Sequence, residues 1–443
     1  MSSWVVDMEK KVQGAEPPAK VEKWRKHCIF RVPLRFKVID GRVSSVYKPQ
    51  TVSLGPFHHD DKDLKPMEEH KLRAVHHLLH RDSCKTTLSE LVATMEKEGE
   101  ELQDAYMELG DEWRGEENRG KFLEMMIIDG CFLLEVMRTA IGGKYSIPKD
   151  YKQDDPVFSW HGIQHIKPFV LRDMLLVENQ LPLRLLEKIV TAESGRSPSA
   201  SWINSMVLKF LEGKDAPEGS DELGLHPLDI YRRSQLKGHL KPYQRDRGGV
   251  ENTIPTANAV VAVTRECKTT YLDDINLDNG RLHMPKFHLD DSTAYKFHNM
   301  MAFEAMHVST ENDVTAYVLF VKDLMDSAQD VRLLVKKRIL EHDLADDDDA
   351  VVKLFNSLTR DVYKNWESKL CRVREDVEHH YLSNRPRVVL YEWWANLKSR
   401  YFRSPWTLLA FITAILLIVG DIVQAVFAVL SYYKPDKDKP KMP

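Results

Sequence analysis

FLEMMIIDGCFLLEVMR, residues 122–138, is the stretch on which the fold turns. An ordinary surface helix keeps its apolar residues to one stripe, whereas here they occupy nearly every side. Such a segment either lies at the centre of a helical body or crosses a membrane. It falls short of the ~20 residues a span requires, and Glu124, Asp129 and Glu135 interrupt it. The reading is therefore a buried central helix, around which other helices must pack.

Upstream of it, Thr87-Leu-Ser-Glu90 is a capping box that opens a helix running to about Leu109. Leu64 to His80 also carries a helical pattern. Residues 27–59 mix β-branched and aromatic residues with Gly and Pro, and read as extended chain and turns. Residues 1–26 form a polar, flexible N-terminal segment.

Downstream, Leu171–Val190 reads as two helical pieces broken at Pro182. Glu178, Asn179 and Gln180 stand directly before the break, where their polar groups can bond the backbone groups a proline frees. Residues 191–225 and 241–253 are rich in Ser, Gly, Pro and charge, and are the candidate exposed loops; an apolar helical piece interrupts the first. Cys267–Leu289 has the strongest strand pattern, with Asp278-Asn279-Gly280 as its hairpin turn. Helices then resume at about Ser292–Met306, Asp313–Ser327, Asp330–Glu341 and, as one long element, Ala350 toward Leu382. Asp346–Asp349 lies where acidic side chains complement the positive end of that last helix. The expected architecture is mainly α with a minor β-hairpin, one domain over residues 27–385. A juxtamembrane helix (386–405), a transmembrane helix (406–433) and a short polar tail (434–443) follow.

The transmembrane segment is TLLAFITAILLIVGDIVQAVFAVL, Thr407–Leu430. As a helix it is about 36 Å long, enough for a hydrocarbon core of roughly 30 Å. Trp393, Trp394, Tyr401, Phe402 and Trp406 precede it, and Tyr432 and Tyr433 follow, as rings do at headgroup depth. Asp421 and Gln424 interrupt it, three residues apart and so on one face. Either an otherwise very apolar helix tolerates them, or they bond to another helix, such as a second copy of this chain. Three basic residues flank one side (Lys398, Arg400, Arg403) and four the other (Lys434, Lys437, Lys439, Lys441), which leaves orientation open. Without an apolar signal segment at residues 1–14, tail anchoring with the body in the cytosol is the expectation.

Composition narrows function by exclusion. The 443 residues carry a net charge of −4, with 29% charged and 43% hydrophobic residues, which gives no electrostatic footprint for nucleic acid. Five cysteines sit at no metal-ligand or redox spacing. There is no P-loop, no G-x-G-x-x-G, no nucleophile elbow and no H-E-x-x-H. His58-His59 and the His76/His80 pair, four apart on one helix, could supply metal ligands for a hydrolase-like enzyme; with no further ligands at convincing spacing, a partly exposed polar helix face is the favoured reading. Asp129, Glu135 and Glu178 fall in apolar surroundings that should raise a carboxyl's pKa. They can act as acids or bases, or anchor a core by hydrogen bonds.

A series of short motifs points to one family. These include Cys28-Ile-Phe-Arg-Val-Pro33, Val52-Ser-Leu-Gly-Pro-Phe-His-His59, Met67-Glu68-x-x-Lys71, Ile128-Asp-Gly-Cys-Phe-Leu-Leu-Glu135 and, above all, Met174-Leu-Leu-Val-Glu-Asn-Gln-Leu-Pro182. Leu282-His-Met-Pro285, Ala302-Phe-Glu304 and the Pro405-Trp406 lead-in complete the order. The chain resembles the plant family called domain of unknown function 247, also known as uncharacterised protein family 0481, over about residues 26–433. Asp421 departs from the family's usual pattern. The resemblance implies a plant protein, mostly helical, anchored by its C-terminus and commonly placed at the plasma membrane, with no established enzyme activity or cofactor. Some grass members resemble pollen-side determinants of self-incompatibility. The expectation is a non-enzymatic recognition or signalling protein whose partners are the lipid bilayer, proteins of unknown identity and, through Asp421 and Gln424, other copies of itself.

Overall fold

The computed structural model describes residues 3–14, 24, 26–39, 42–142, 151–217, 221–237, 263–264, 271–344, 347–360, 362, 368–383 and 405–433. Residues 122–138 lie within one helix, Glu116–Gly142, and most of that stretch is buried. In chain order the α-helices of eight residues or more are α1 Ser3–Gln13, α2 Glu68–His80, α3 Leu88–Asp104, α4 Glu116–Gly142, α5 Trp160–Met174, α6 Leu183–Ser194 and α7 Ala200–Glu212. They continue as α8 Pro227–Ser234, α9 Thr293–Met306, α10 Asp313–Leu324, α11 Ala328–Lys336, α12 Asp348–Leu358, α13 Lys369–Ser383 and α14 Pro405–Tyr433. The protein is mainly α.

A helix that is apolar on every side needs neighbours on every side. Helix α4 has them: α2, α3, α5, α6 and α7 all pack against it and form the first core. The second core gathers α9, α10, α12 and α13. Leu171, Leu211 and Leu225 are half-buried and touch both cores.

The strands are short. β1 (Val38–Ile39) pairs antiparallel with β2 (Arg42–Val43). β3 (Val263–Thr264) runs parallel to β5 (Arg281–His283), which pairs antiparallel with β4 (Asn276–Asp278). The β4–β5 turn is the expected one: Asn279 and Gly280 have φ of 49° and 75°, the left-handed pair a two-residue hairpin requires. β6 (Phe287–Leu289) runs parallel to β7 (Leu340–His342).

Local chemistry explains most boundaries. The Thr87–Glu90 capping box is formed in both directions. Asp347 caps α12 by accepting from the Asp349 amide. Helix α1 lies within the N-terminal segment expected to be flexible, and four boundaries differ most from the sequence reading. Helix α3 stops at Asp104 instead of Leu109, because the next residues bond elsewhere: Ala105 O accepts from the Cys28 and Ile29 amides, and Met107 N donates to Ile29 O. The break expected at Pro182 spans residues 175–182, since α5 already ends at Met174. The helix expected to reach Glu341 ends at Lys336, and residues 340–342 join β6 instead. The long helix from Ala350 is two helices, α12 and α13, separated after Leu358, where the Thr359 hydroxyl bonds back to Phe355 O. The proposed loop 241–253, the tail 434–443 and almost all of the juxtamembrane helix 386–405 lie outside the described residues.

Candidate functional site

The Glu178-Asn179-Gln180 triplet joins α5 to α6, and all three residues are almost wholly buried. Burying so many polar atoms is costly unless each is bonded. Glu178 Oε1 accepts from the Val32 amide at 2.7 Å, and Lys37 Nζ donates to Oε2 at 2.9 Å. His58 Nε2 lies 3.3 Å from the same carboxylate. Asn179 Oδ1 accepts from the Leu54 amide at 2.8 Å, while its Nδ2 donates to Val52 O and Asp173 O. Gln180 Nε2 donates to Met174 O and Leu176 O, and its Oε1 accepts from the Leu228 amide at 3.0 Å. The triplet does bond backbone groups near the Pro182 break, but it also reaches three distant segments.

One of those segments, Gln50–Gly55, is clamped along its length. Its amides have no strand to pair with, and carboxylates and an amide take that role. Asp173 accepts from the amides of Gln50, Thr51 and Val52; Asn179 takes Leu54; Asp129 Oδ2 takes Gly55 at 2.8 Å. Gly55 has φ of 77°, and a Cβ there would sit 2.7 Å from the Tyr106 hydroxyl. That hydroxyl is itself donated to Gln180 O at 2.9 Å.

Below the strip, Lys71 is fully buried. Its Nζ is 2.7 Å from both Asp129 and Glu68 and donates to Ser53 Oγ at 3.1 Å. Burial pulls the ammonium's pKa down, but the two carboxylates outweigh it and hold the group above its usual value. Burial pushes the Asp129 carboxyl up, as the sequence suggests. Glu178 goes the other way. Burial raises it, yet the His58 ring, Lys37 and the Val32 amide together bring it below the ordinary carboxylate range. Glu135 lies between Arg81, Arg138 and the Tyr151 hydroxyl.

The other candidate histidines make separate contacts. His59 packs edge-on to Trp113. His76 and His80 stack on each other at 4.1 Å, and His80 Nδ1 is 2.8 Å from His76 O. Among the described residues no group of three His, Cys, Asp or Glu side chains could hold a metal ion. His58, His59, His76 and His80 belong to no such group. Cys28, Cys84 and Cys131 are free thiols.

Several residues that complete this network are not marked as site residues by the sequence. Asn299 accepts from the Val177 amide and donates to Val46 O, tying α9 to both ends of the clamp. Glu304 accepts from the Val314 and Thr315 amides and from Arg232. His226 Nδ1 accepts from the Asp229 amide, which leaves Nε2–H to donate to Cys28 O at 3.0 Å. Each is a polar residue inside an apolar run, which suggests burial but not the partner. The chemistry of the whole arrangement is the holding of backbone: charged and amide side chains replace the missing strand ladder.

The second candidate feature is α14. Its residues Ile412–Leu430 have a mean hydropathy of 2.4, and none of that stretch is buried against the rest of the chain. It is long and apolar enough to cross a membrane. The Asp421 and Gln424 side chains make no hydrogen bond or ion pair among the described residues.

No solved structure matches the chain. Among known proteins it is similar to UPF0481 protein At3g47200 of Arabidopsis thaliana, 24% identical over an alignment covering 93% of this chain and 88% of that protein. It is also similar to putative UPF0481 protein At3g02645 of the same plant, 22% identical, covering 94% of this chain and 92% of the relative. The model of the family DUF247, described as plant protein of unknown function, matches residues 29–420, and the chain, with its Glu178-Asn179-Gln180 clamp and its free apolar helix at the end of that match, belongs to this family.

Proposed function

We propose that this chain is a non-enzymatic recognition or signalling protein held in a membrane by α14. The observation that carries the reading is the apolar helix itself, which finds no cover on the body of the protein. An uncovered apolar surface of that size is stable in lipid and not in water. The polar motif adds support. The carboxylates and amides that could have served as acids, bases or ligands are engaged in holding backbone. The free thiols of Cys28, Cys84 and Cys131 agree with a body facing a reducing compartment, the cytosolic side. The narrower reading, an anchor in the plasma membrane and a role in reproductive or defence recognition, follows from the family resemblance. Loops at 195–199 and 213–217 stand between packed helices, where binding residues are commonly carried.

Flotation with phosphatidylcholine vesicles tests the anchor. The full chain should float and resist carbonate extraction, and Asp substitutions at Ile415 and Val419 should release it. Protease protection on intact membranes tests orientation, and digestion of the body from the cytosolic side is expected. Exchange of the 195–199 and 213–217 loops between close relatives should alter the proteins captured by proximity labelling; an unchanged set removes the recognition reading.

A further inference from the structure

Helix α14 is not uniformly apolar, and its unevenness has a direction. At about 100° per residue, every Gly, Ala, Thr, Asp and Gln of residues 412–430 falls within an arc of about 140°. Of the large apolar residues only Leu417 shares that arc. The opposite side carries Ile, Val, Leu and Phe alone. Within the arc, Ala414, Leu417, Asp421, Gln424 and Ala428 follow a spacing of three and four residues in alternation, the repeat of a left-handed helix pair.

Two independent facts meet on this seam. Small side chains let another helix backbone come close, so that van der Waals contact replaces lipid. Asp421 and Gln424 are polar groups placed at bilayer depth with no partner among the described residues, and hydrocarbon offers none. A small-residue stripe could face lipid at little cost; a carboxyl and a carboxamide could not.

We infer that α14 is an association surface whose occupant is a second copy of the same helix, in parallel. The inference rests on the anchor reading above. Identical chains insert with one orientation, so a second copy brings its own Asp421 and Gln424 to the same depth. The Gln424 amide can donate to Asp421 of the second copy across the seam, and the reverse, in a two-fold pair. A different helix would have to supply a matching donor at that depth, whereas the seam supplies its own.

The test uses the full chain in phosphatidylcholine vesicles, with donor- and acceptor-labelled copies mixed and energy transfer followed as the protein-to-lipid ratio is lowered. Asp421→Leu and Gln424→Leu should each weaken association about three- to thirty-fold, the range of interhelical polar contacts in membranes. Gly420→Ile should weaken it by closing the approach, and Val426→Leu, on the opposite side, should leave it unchanged. A single cysteine replacing Ala428 should cross-link between copies, and one replacing Val426 should not. Equal association for Asp421→Leu, Gln424→Leu and the native chain overturns the inference, as does a native chain that floats with vesicles and stays monomeric. A chain that fails to float overturns the anchor reading together with this one.

Discussion

Replacing Lys71 by Met separates a structural from a chemical role for the most deeply buried cation among the described residues. Lys71 has no exposed side-chain surface, and Asp129 is only 1% exposed. Removing the ammonium leaves the Asp129 carboxylate with the Gly55 amide as its remaining hydrogen-bond donor, and Ser53 Oγ without its donor. Breaking a buried pair from one side costs about 3–5 kcal/mol, because the stranded charge keeps its desolvation penalty. Removing both charges, Lys71→Met with Asp129→Leu, leaves no stranded carboxylate at position 129, and the loss it adds is the Gly55 amide, at about 1–3 kcal/mol. The double variant is thus expected to be no less stable than Lys71→Met alone. The sign with pH follows. In Lys71→Met the buried carboxyl rises further, so its penalty is absent below the ordinary carboxylate value and grows as pH increases above it. Urea unfolding of detergent-solubilised protein at pH 5 and pH 8, followed by tryptophan fluorescence, measures the cycle. A loss below about 1 kcal/mol for Lys71→Met, or a double variant as weak as the sum of the singles, refutes the account.

Other predictions follow from single groups. Burial depresses His226 to about 4, so the folded state refuses a proton that the unfolded chain takes up below about 6.5. Stability of about 3 kcal/mol is lost as pH falls from 6.5 to 4, and His226→Asn, which keeps a cap acceptor, should flatten that slope in urea titrations. Glu178 lies below its ordinary value, so its stabilisation is present above that value and disappears as pH falls through the carboxylate range. Glu178→Gln should cost about 1–2 kcal/mol at pH 7, discounted for the part-exposed Lys37, and less as pH falls through the carboxylate range. A Cβ on Gly162 would lie 2.5 Å from the Pro156 carbonyl oxygen, so Gly162→Ala should lose about 1–3 kcal/mol. Gly120 is exposed in α4 with nothing near it, so Gly120→Ala should gain about 0.5–1 kcal/mol. Thermal melts of the two variants, moving in opposite directions, check both.

What the sequence made legible was whatever local chemistry decides. The all-round apolar stretch 122–138 needs a centre, and a centre it has. Thr87-x-x-Glu90 and Asp278-Asn279-Gly280 encode their geometry within four residues. What stayed hidden depends on partners far along the chain. Nothing near Leu109 says that residues 105–107 leave α3 to bond residues 28 and 29. Nothing near Glu178 says that His58 and Lys37 will lie beside it and together reverse the expected direction of its pKa. The triplet was readable as polar residues at a helix break, but not as the holder of an extended strip over 120 residues upstream. The family likeness, in turn, marks residues that hold the fold, and so it identifies the chain without naming a ligand.

The clamped strip has a consequence for biosynthesis. A ribosome delivers Gln50–Gly55 well before Asp129, Asp173 and Asn179, the acceptors its amides require. Until then those amides are satisfied by water, and the first hundred residues cannot close on themselves. Such long-range closure is slow compared with helix formation. The early helices, α2 and α3, therefore wait as partly formed pieces with apolar faces showing. The nascent chain needs shelter over that interval, and a truncation before residue 180 should be a substrate for chaperones and proteases instead of a smaller domain.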